Sequence, residues 1–171
     1  SRSLHSLKKF SMRLPLSLFY GILFFAILIY PYFSIKSYYG ELKTYKELRG
    51  DGWLKDYNYD TYKAVSWLNE NVQGQPVIVE APGDSYTQYN VISSYTGLPT
   101  VSGWFVHEWL WRGDSSFPQN RVSEITTFYT TEDINLARTF LNKYNVKYII
   151  IGNSELQKFP ELKDQKFYQL G

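Results

Sequence analysis

The chain has 171 residues and no cysteine, and its 18 Lys and Arg residues nearly balance its 16 Asp and Glu residues. The charges are spread along the chain without a block of one sign, so we predict no nucleic-acid partner. The absence of cysteine excludes disulfides, zinc thiolates and thiol nucleophiles. The length predicts one main domain, and the 19% aromatic content suits a membrane interface or a surface that stacks on polar ligands.

An uncharged apolar segment occupies residues 14–35. Because a helix needs about 20 such residues to cross a bilayer core of about 30 Å, we predict a transmembrane helix. The alternative is a buried helix of a soluble protein, and a cleavable signal peptide is disfavoured because its apolar region is shorter. Four Lys or Arg residues precede the segment. Residues 1–13 are therefore predicted to be cytoplasmic, at the cell membrane, and the C-terminal domain extracytoplasmic.

A polar, Tyr-rich connection follows at residues 36–58, where Lys and Glu alternate and the sequence Gly50-Asp51-Gly52 breaks any helix. We predict a linker here, helical at most up to Leu48. Residues 59–171 are predicted to form an extracytoplasmic α/β domain. We expect this domain to be truncated at its C-terminus and the chain to be part of a longer protein.

Within that domain, helical and strand patterns alternate. In chain order they predict a helix capped by Asp60 and ending before Gly74, a strand at 76–81, a helix at 86–95, a strand at 97–102, a helix with Pro118 in its first turn, a helix capped by Thr130 or Thr131 and ending at Asn145, a strand at 146–151, and a weak helix from Ser154. Strands joined by helices are typical of parallel sheets. We therefore predict an α/β fold, in which one N-terminal transmembrane helix precedes a small domain with a short, mostly parallel sheet covered by helices.

The turn after the first predicted strand is one candidate site, because open α/β sheets bind ligands at the carboxyl ends of their strands. Asp84 and Tyr86 are the candidate binding residues of this turn. The competing interpretation is that Asp84 or Ser85 caps the following helix. A serine-hydrolase site at Ser85 is disfavoured, since no histidine follows His107 to serve as its base.

The chemically densest stretch lies between two glycines and contains six candidate binding residues. They are Trp104, His107, Glu108, Trp109, Trp111 and Arg112. In a helix, Trp104, His107, Glu108 and Trp111 share one face, and Glu108 can pair with Arg112. Such a face can stack on a sugar and bind its hydroxyls. The alternative is that the tryptophans are core residues and that His107 and Glu108 satisfy backbone groups. A metal site is disfavoured, because the adjacent His107 and Glu108 diverge on a helix.

Several stretches resemble one family of membrane proteins. They are Ala64 to Asn71, Val77 to Tyr86, Tyr95 to Val101, Gly103-Trp104 with His107-Glu108-Trp109 and Trp111-Arg112-Gly113, and Tyr144 to Gly152. Over about Gly50 to Gly152, the chain resembles the C-terminal extracytoplasmic part of the polytopic YYY membrane proteins. More loosely, the order of its elements is similar to that in the catalytic subunits of oligosaccharyltransferases, which are glycosyltransferases of the GT-C type.

The resemblance implies a fragment of a polytopic, glycosyltransferase-like protein whose soluble domain recognises an acceptor or a lipid-linked sugar beside a membrane active site. The catalytic carboxylates would then precede Ser1, so no catalytic residue is predicted in this chain. The implied partners are membrane lipid, a lipid-linked sugar or glycan acceptor, and upstream transmembrane helices of the same chain.

No metal-binding residue and no cofactor is predicted in this fragment, although the resemblance leaves a divalent metal open for the parent protein. The acceptor motif Trp-Trp-Asp-Tyr-Gly of the oligosaccharyltransferases is absent from the sequence. The identity of the acceptor therefore does not carry over from them. The alternative function is a noncatalytic, membrane-tethered module that binds glycans or acts as a scaffold.

Overall fold

The computed structural model describes residues 2–40, 50–162 and 164–170, with the backbone alone for 2–13, 164 and 165. The chain divides between Leu48 and Arg49 into two units. The described part of the first unit is a long helix, and the second unit is a compact α/β domain. The prediction that the linker is helical up to Leu48 falls on residues 41–49, outside the described residues.

The helix of the first unit is α1, Arg2–Tyr39. Its segment Leu14–Tyr39 has 26 residues and contains an 18-residue window with a mean hydropathy of 2.0, so it is long and apolar enough to cross a membrane by length and composition. Its large apolar side chains are exposed rather than packed within the chain. Pro31 lies inside α1 and does not end it, although proline removes one backbone hydrogen bond. The helix therefore continues past residue 35, its predicted end.

The second unit is mostly helical around a short parallel sheet. In chain order it forms α2 Gly52–Tyr57, α3 Tyr59–Asn71, β1 Val77–Val79, α4 Val91–Thr96, α5 Phe105–Arg112, α6 Ser116–Thr130, α7 Ile134–Tyr144, β2 Val146–Ile149, α8 Asn153–Lys158 and a 3-10 helix Asp164–Gln169. Strands β1 and β2 pair in parallel, with Ile78 opposite Tyr148. This confirms the predicted α/β domain with a short parallel sheet.

The predicted strand at 97–102 is reduced to one parallel bridge between Ile78 and Thr100. Ile78 donates a hydrogen bond to the Pro99 carbonyl at 2.8 Å and accepts one from the Val101 N–H at 3.2 Å. The prediction of a full strand is wrong here. Proline has no N–H to extend the ladder, and the chain turns towards α5 soon after Val101.

Two hydrophobic clusters cover opposite faces of the sheet. Val79 packs in a cluster with buried residues of α6 and α7, such as Ile125 and Phe140. Ile78 packs in the other cluster, with Leu68 of α3 and with α4. Because successive side chains of a strand point to opposite faces, these two neighbours in β1 join both halves of the core.

Two helices begin at residues other than those predicted. α3 is capped by Asn58 rather than Asp60, and α7 is capped by Asp133 rather than Thr130 or Thr131. The Asp133 carboxylate accepts hydrogen bonds from two backbone N–H groups in the first turn of α7. The reason for the second difference is that α6 continues through Thr130, which leaves Asp133 as the capping residue nearest the start of α7.

Part of the predicted linker is folded. α2 lies between residues 50 and 58, and its Leu54 is fully buried. Beside it, Trp53 Nε1 donates a hydrogen bond to the Tyr95 hydroxyl at 2.6 Å. The compact unit therefore begins before residue 59, because an apolar side chain within this polar segment is drawn into the core.

A buried lysine closes the C-terminal end of α6. Lys166 Nζ donates to the carbonyls of Phe128, Tyr129 and Thr131 at 2.6, 2.8 and 2.8 Å. These carbonyls lie at the helix end, where backbone acceptors lack partners within the helix. Burial lowers the pKa of Lys166 to about 8. Lys166 thus joins the 3-10 helix to α6, and the Phe167 ring packs beside those of Phe128 and Tyr129.

Replacement of Lys166 by Met should reduce the free energy of unfolding by about 2 kcal/mol, because three buried carbonyls lose their donor. Lys143→Met is the matched control. Lys143 pairs with Glu124 at an exposed position, where water screens the ion pair, so its loss should change the free energy of unfolding little. Thermal and urea unfolding of both variants measure the difference. Equal destabilisation by the two substitutions contradicts the capping role.

Candidate functional site

The dense stretch forms α5, and contacts at both ends hold this helix. Glu108 Oε1 accepts a hydrogen bond from the Gly103 N–H at 2.9 Å, which satisfies a backbone donor ahead of the helix. At the other end, Gly113 adopts a left-handed φ of 70°, and its N–H donates to the Trp109 carbonyl at 2.8 Å. Glycine adopts this conformation without a steric penalty. The stretch is helical from Phe105 to Arg112, which is the condition under which its candidate residues were expected to share one face.

One face of α5 lines a pocket with a volume of about 510 Å³. The residues that line it are Asn90, Ser93, Ser94, Gly103, Trp104, His107, Glu108, Trp111 and Arg112. This volume lies within the range of small-molecule sites. The structure confirms that Trp104, His107, Glu108 and Trp111 share one face. α4 and the residue before it supply the opposite wall.

Three aromatic rings meet at one side of this pocket. The ring centroids of Tyr86 and Trp104 are 5.2 Å apart, those of Tyr86 and His107 are 5.4 Å apart, and those of Trp104 and His107 are 5.3 Å apart. Trp104 Nε1 donates a hydrogen bond to the Tyr89 carbonyl at 3.0 Å, which fixes its indole. The turn that carries Tyr86 therefore supports the pocket wall, although Tyr86 itself does not line the pocket.

The charged groups of the pocket form a connected set. Glu108 Oε2 accepts from Arg112 Nε at 2.9 Å, which confirms the predicted pair. The Arg112 guanidinium lies over the Phe117 ring, 4.1 Å from its centroid, and the Arg121 guanidinium lies 4.4 Å from the same centroid. Both oxygens of the Glu108 carboxylate are thus engaged. This orients the carboxylate as a hydrogen-bond acceptor at the pocket wall.

Three predicted site residues, Tyr86 among them, lie outside the pocket. Trp109 is on another side of α5, and Asp84 is exposed in the turn after β1. The interpretation of Trp104, Trp109 and Trp111 as core residues is wrong, because none of them is buried. Of the six candidates in the dense stretch, only Trp109 does not line the pocket.

The turn after β1 contradicts the interpretation that Asp84 or Ser85 caps a helix. Neither Asp84 nor Ser85 caps a helix, because α4 begins only at Val91. Positive φ angles of 62° at Tyr86 and 57° at Asn90 interrupt the helix predicted at 86–95. Ser85 Oγ is buried without a hydrogen-bond partner in the described structure, so no described base contacts it.

Sequence reasoning missed the opposite wall of the pocket and the carboxylate beneath it. Glu80 Oε2 accepts from the Ile92 N–H at 3.1 Å, and Oε1 accepts from the Ser93 N–H at 3.2 Å. Asn90 Nδ2 donates to the Ser102 carbonyl at 2.8 Å and reaches Glu80 Oε1 at 3.5 Å. The sequence contained one signal that pointed to Glu80. Glu80 is a lone charge that directly follows a strand-like apolar run.

The Glu80 side chain is 2% exposed. Burial raises its pKa from 4.5 to about 7, against the opposing effect of the hydrogen bonds from Ser93, and the nearby Glu155 carboxylate raises it further. Glu155 is also buried, and it accepts hydrogen bonds from the Ala81 and Gly152 N–H groups. A pair of buried carboxylates therefore lies behind the pocket, and Glu80 titrates near neutral pH.

Within the described residues, no three His, Cys, Asp or Glu side chains come together in a way that could hold a metal ion. The chain matches no protein-family model, and neither the curated proteins nor the solved structures include a similar protein. Fold and site together define a mostly helical α/β domain with a two-stranded parallel sheet and an aromatic, polar pocket. The resemblance to the YYY membrane proteins stays a prediction.

Replacement of Glu80 by Gln should change how stability depends on pH. Since the folded-state pKa of about 7 exceeds the value of 4.5 expected for the unfolded chain, Glu80 lowers the free energy of unfolding progressively as pH rises from 4.5 to 7. This loss, on the order of 3 kcal/mol, should be absent in Glu80→Gln. Urea unfolding over this pH range measures it.

Glu70→Gln is the matched control, because Glu70 is exposed on α3. Its stability should follow that of the original chain at every pH. If Glu80→Gln also follows the original chain across the range, the buried carboxylate does not titrate near neutral pH.

Proposed function

We propose that α1 spans a cell membrane and that the second unit binds a sugar in the pocket beside α5. The sugar is the acceptor or the lipid-linked donor of a glycosyl transfer. The observation that carries the proposal is the pocket itself, in which Trp104 and Trp111 stand beside the polar groups of His107, Glu108 and Arg112. Aromatic faces beside convergent polar groups are the chemistry that sugars require.

Each wall of the pocket has a role in this proposal. The indole of Trp111 offers a face for the C–H groups of a pyranose ring. The carboxylate of Glu108 accepts hydrogen bonds from sugar hydroxyls, while Arg112 donates to hydroxyl oxygens or to the phosphate of a lipid-linked sugar. Ser93 and Ser94 supply further hydroxyls from α4.

The membrane placement is supported by the length and exposure of α1. At 1.5 Å per residue, the 26 residues of Leu14–Tyr39 extend about 39 Å, which exceeds the bilayer core of about 30 Å. The large apolar side chains of this described segment are exposed rather than buried. The basic residues before the span support the proposal that the second unit lies on the extracytoplasmic side.

The hydrogen bonds of the Glu108 carboxylate favour a role in substrate recognition over a role in catalysis. Both of its oxygens already accept hydrogen bonds, one from Gly103 and one from Arg112. A general acid or base has to exchange a proton with its substrate, whereas these two hydrogen bonds hold the carboxylate in place as an acceptor. If the parent protein is a glycosyltransferase, as the resemblance implies, its catalytic carboxylates belong to other residues. In the alternative function, in which the chain is a noncatalytic glycan-binding or scaffolding module, the same pocket binds the glycan.

Replacement of Trp111 by Ala should weaken sugar binding about tenfold, because one stacking face worth about 1.4 kcal/mol is lost. The probe is an array of neutral and acidic oligosaccharides, followed by titration of the best binder against the detergent-solubilised chain. Trp109→Ala is the matched control, since Trp109 lies on the same helix outside the pocket. Equal affinities of the two variants, or no binding by the original chain, refute the sugar site.

The double replacement of His107 and Glu108 by Ala should abolish glycosyl transfer in the full-length protein without reducing its abundance in membranes. Both side chains line the pocket, so substrate positioning is lost. Transfer of radiolabelled sugar from a lipid-linked donor measures activity, and immunoblotting measures abundance. Full activity in the variant refutes a role of the pocket in transfer. Sugar binding without any transfer by the original protein identifies the noncatalytic module.

A further inference from the structure

α5 carries three consecutive large exposed side chains, of which only Trp111 also lines the pocket. Trp109, Leu110 and Trp111 are 43%, 66% and 88% exposed, and no residue of α5 is buried. We call these three side chains the α5 ridge. Single exposed apolar residues are ordinary on a protein surface, but here two indoles and the leucine between them form an apolar surface that extends over about 200° of the helix circumference. The folded domain itself leaves this patch uncovered.

We propose that the α5 ridge inserts into the interfacial region of a phospholipid bilayer. Tryptophan prefers the level of the lipid headgroups, where its ring is desolvated and its N–H remains hydrogen-bonded. Arg112 directly follows the ridge, at the C-terminal end of the helix, and its guanidinium is half exposed. A cation at the edge of an apolar helical face suits the phosphate layer of a membrane. Beyond this, the same chain carries α1, a helix of membrane-spanning length.

The size of the ridge favours a bilayer over a protein partner. From their exposed fractions, its three side chains present roughly 450 Å² of surface. A stable protein interface buries about 800 Å² on each partner, whereas a shallow interfacial insertion has no such minimum.

Membrane contact at this place has a consequence for the pocket. Trp111 belongs both to the ridge and to the pocket lining. Insertion of the ridge therefore brings the pocket mouth to the depth of the lipid headgroups, where the head of a lipid-linked molecule lies. The contact itself depends neither on sugar binding nor on α1 being embedded.

The absence of cysteine allows a direct test with single fluorescent labels. Leu110→Cys, labelled with an environment-sensitive dye, reports on the ridge in the full chain reconstituted into phosphatidylcholine vesicles with an anionic lipid. Nitroxide-bearing phospholipids serve as quenchers. Leu136→Cys on α7 is the matched control, as an exposed leucine away from α5, and Phe25→Cys reports on α1.

The label at residue 110 should shift its emission to the blue and lose about half its intensity to a nitroxide near the headgroup, with less loss to one near the acyl terminus. The label at residue 136 should lose neither. If residue 110 is unquenched and remains open to aqueous iodide, the ridge does not contact lipid and the proposal is wrong. If it is shielded from both quenchers, a protein or a second copy covers the ridge, and the proposal is again wrong.

The label at residue 25 separates this inference from the proposed function. Quenching at residue 25 without quenching at residue 110 overturns the ridge contact and leaves the membrane placement of α1 intact. Quenching at residue 110 alone supports the ridge contact and refutes a membrane-spanning α1. Sugar titrations with Trp111→Ala are read separately, in detergent, so a failure of sugar recognition does not alter either result.

Discussion

Glu80, directly after β1, has a buried side chain that needs hydrogen-bond donors from the protein instead of from water. The donors that the chain supplies set the geometry around the pocket. The Glu80 oxygens accept hydrogen bonds from the first turn of α4, while Asn90 links Glu80 to the Ser102 carbonyl just before α5. An unpaired buried carboxylate would cost several kcal/mol, so these partners cannot move apart freely. The buried Glu80 side chain thereby fixes the positions of α4 and α5, the two walls of the pocket, relative to each other.

α5 is fixed mainly by its ends and by its neighbours. The helix has eight residues, none of them buried, so apolar burial contributes little to its stability. Its position depends on the Glu108 bond to Gly103, on the left-handed Gly113, and on the rings of Tyr86 and Trp104. Elements with few buried contacts open most easily, and binding sites are often built from them. A ligand that bridges α4 and α5 would therefore stabilise the least buried helix of the site.

Two exposed apolar surfaces among the described residues differ in physical character. α1 is apolar around its circumference, which suits the hydrocarbon interior of a bilayer. The α5 ridge combines indoles with an adjacent arginine, which suits the headgroup layer. Neither surface is covered within its own unit. Placing both in lipid removes from water the apolar groups that the folded chain leaves exposed.

The sequence by itself determined the features that depend on neighbours within one or two helical turns. These include α1, the periodic faces of α3 and α7, the termination at Asn145, the helical face of α5, and the pair of Glu108 with Arg112. Only the tertiary structure decided that residues 97–102 pair through a single bridge, that Leu54 enters the core, and that Glu80 and Asn90 support the pocket. The left-handed turns at Tyr86 and Asn90 likewise had no local signature strong enough to break a predicted helix. Periodicity and capping act over about four residues, whereas burial and partner choice depend on chain segments that meet only after folding.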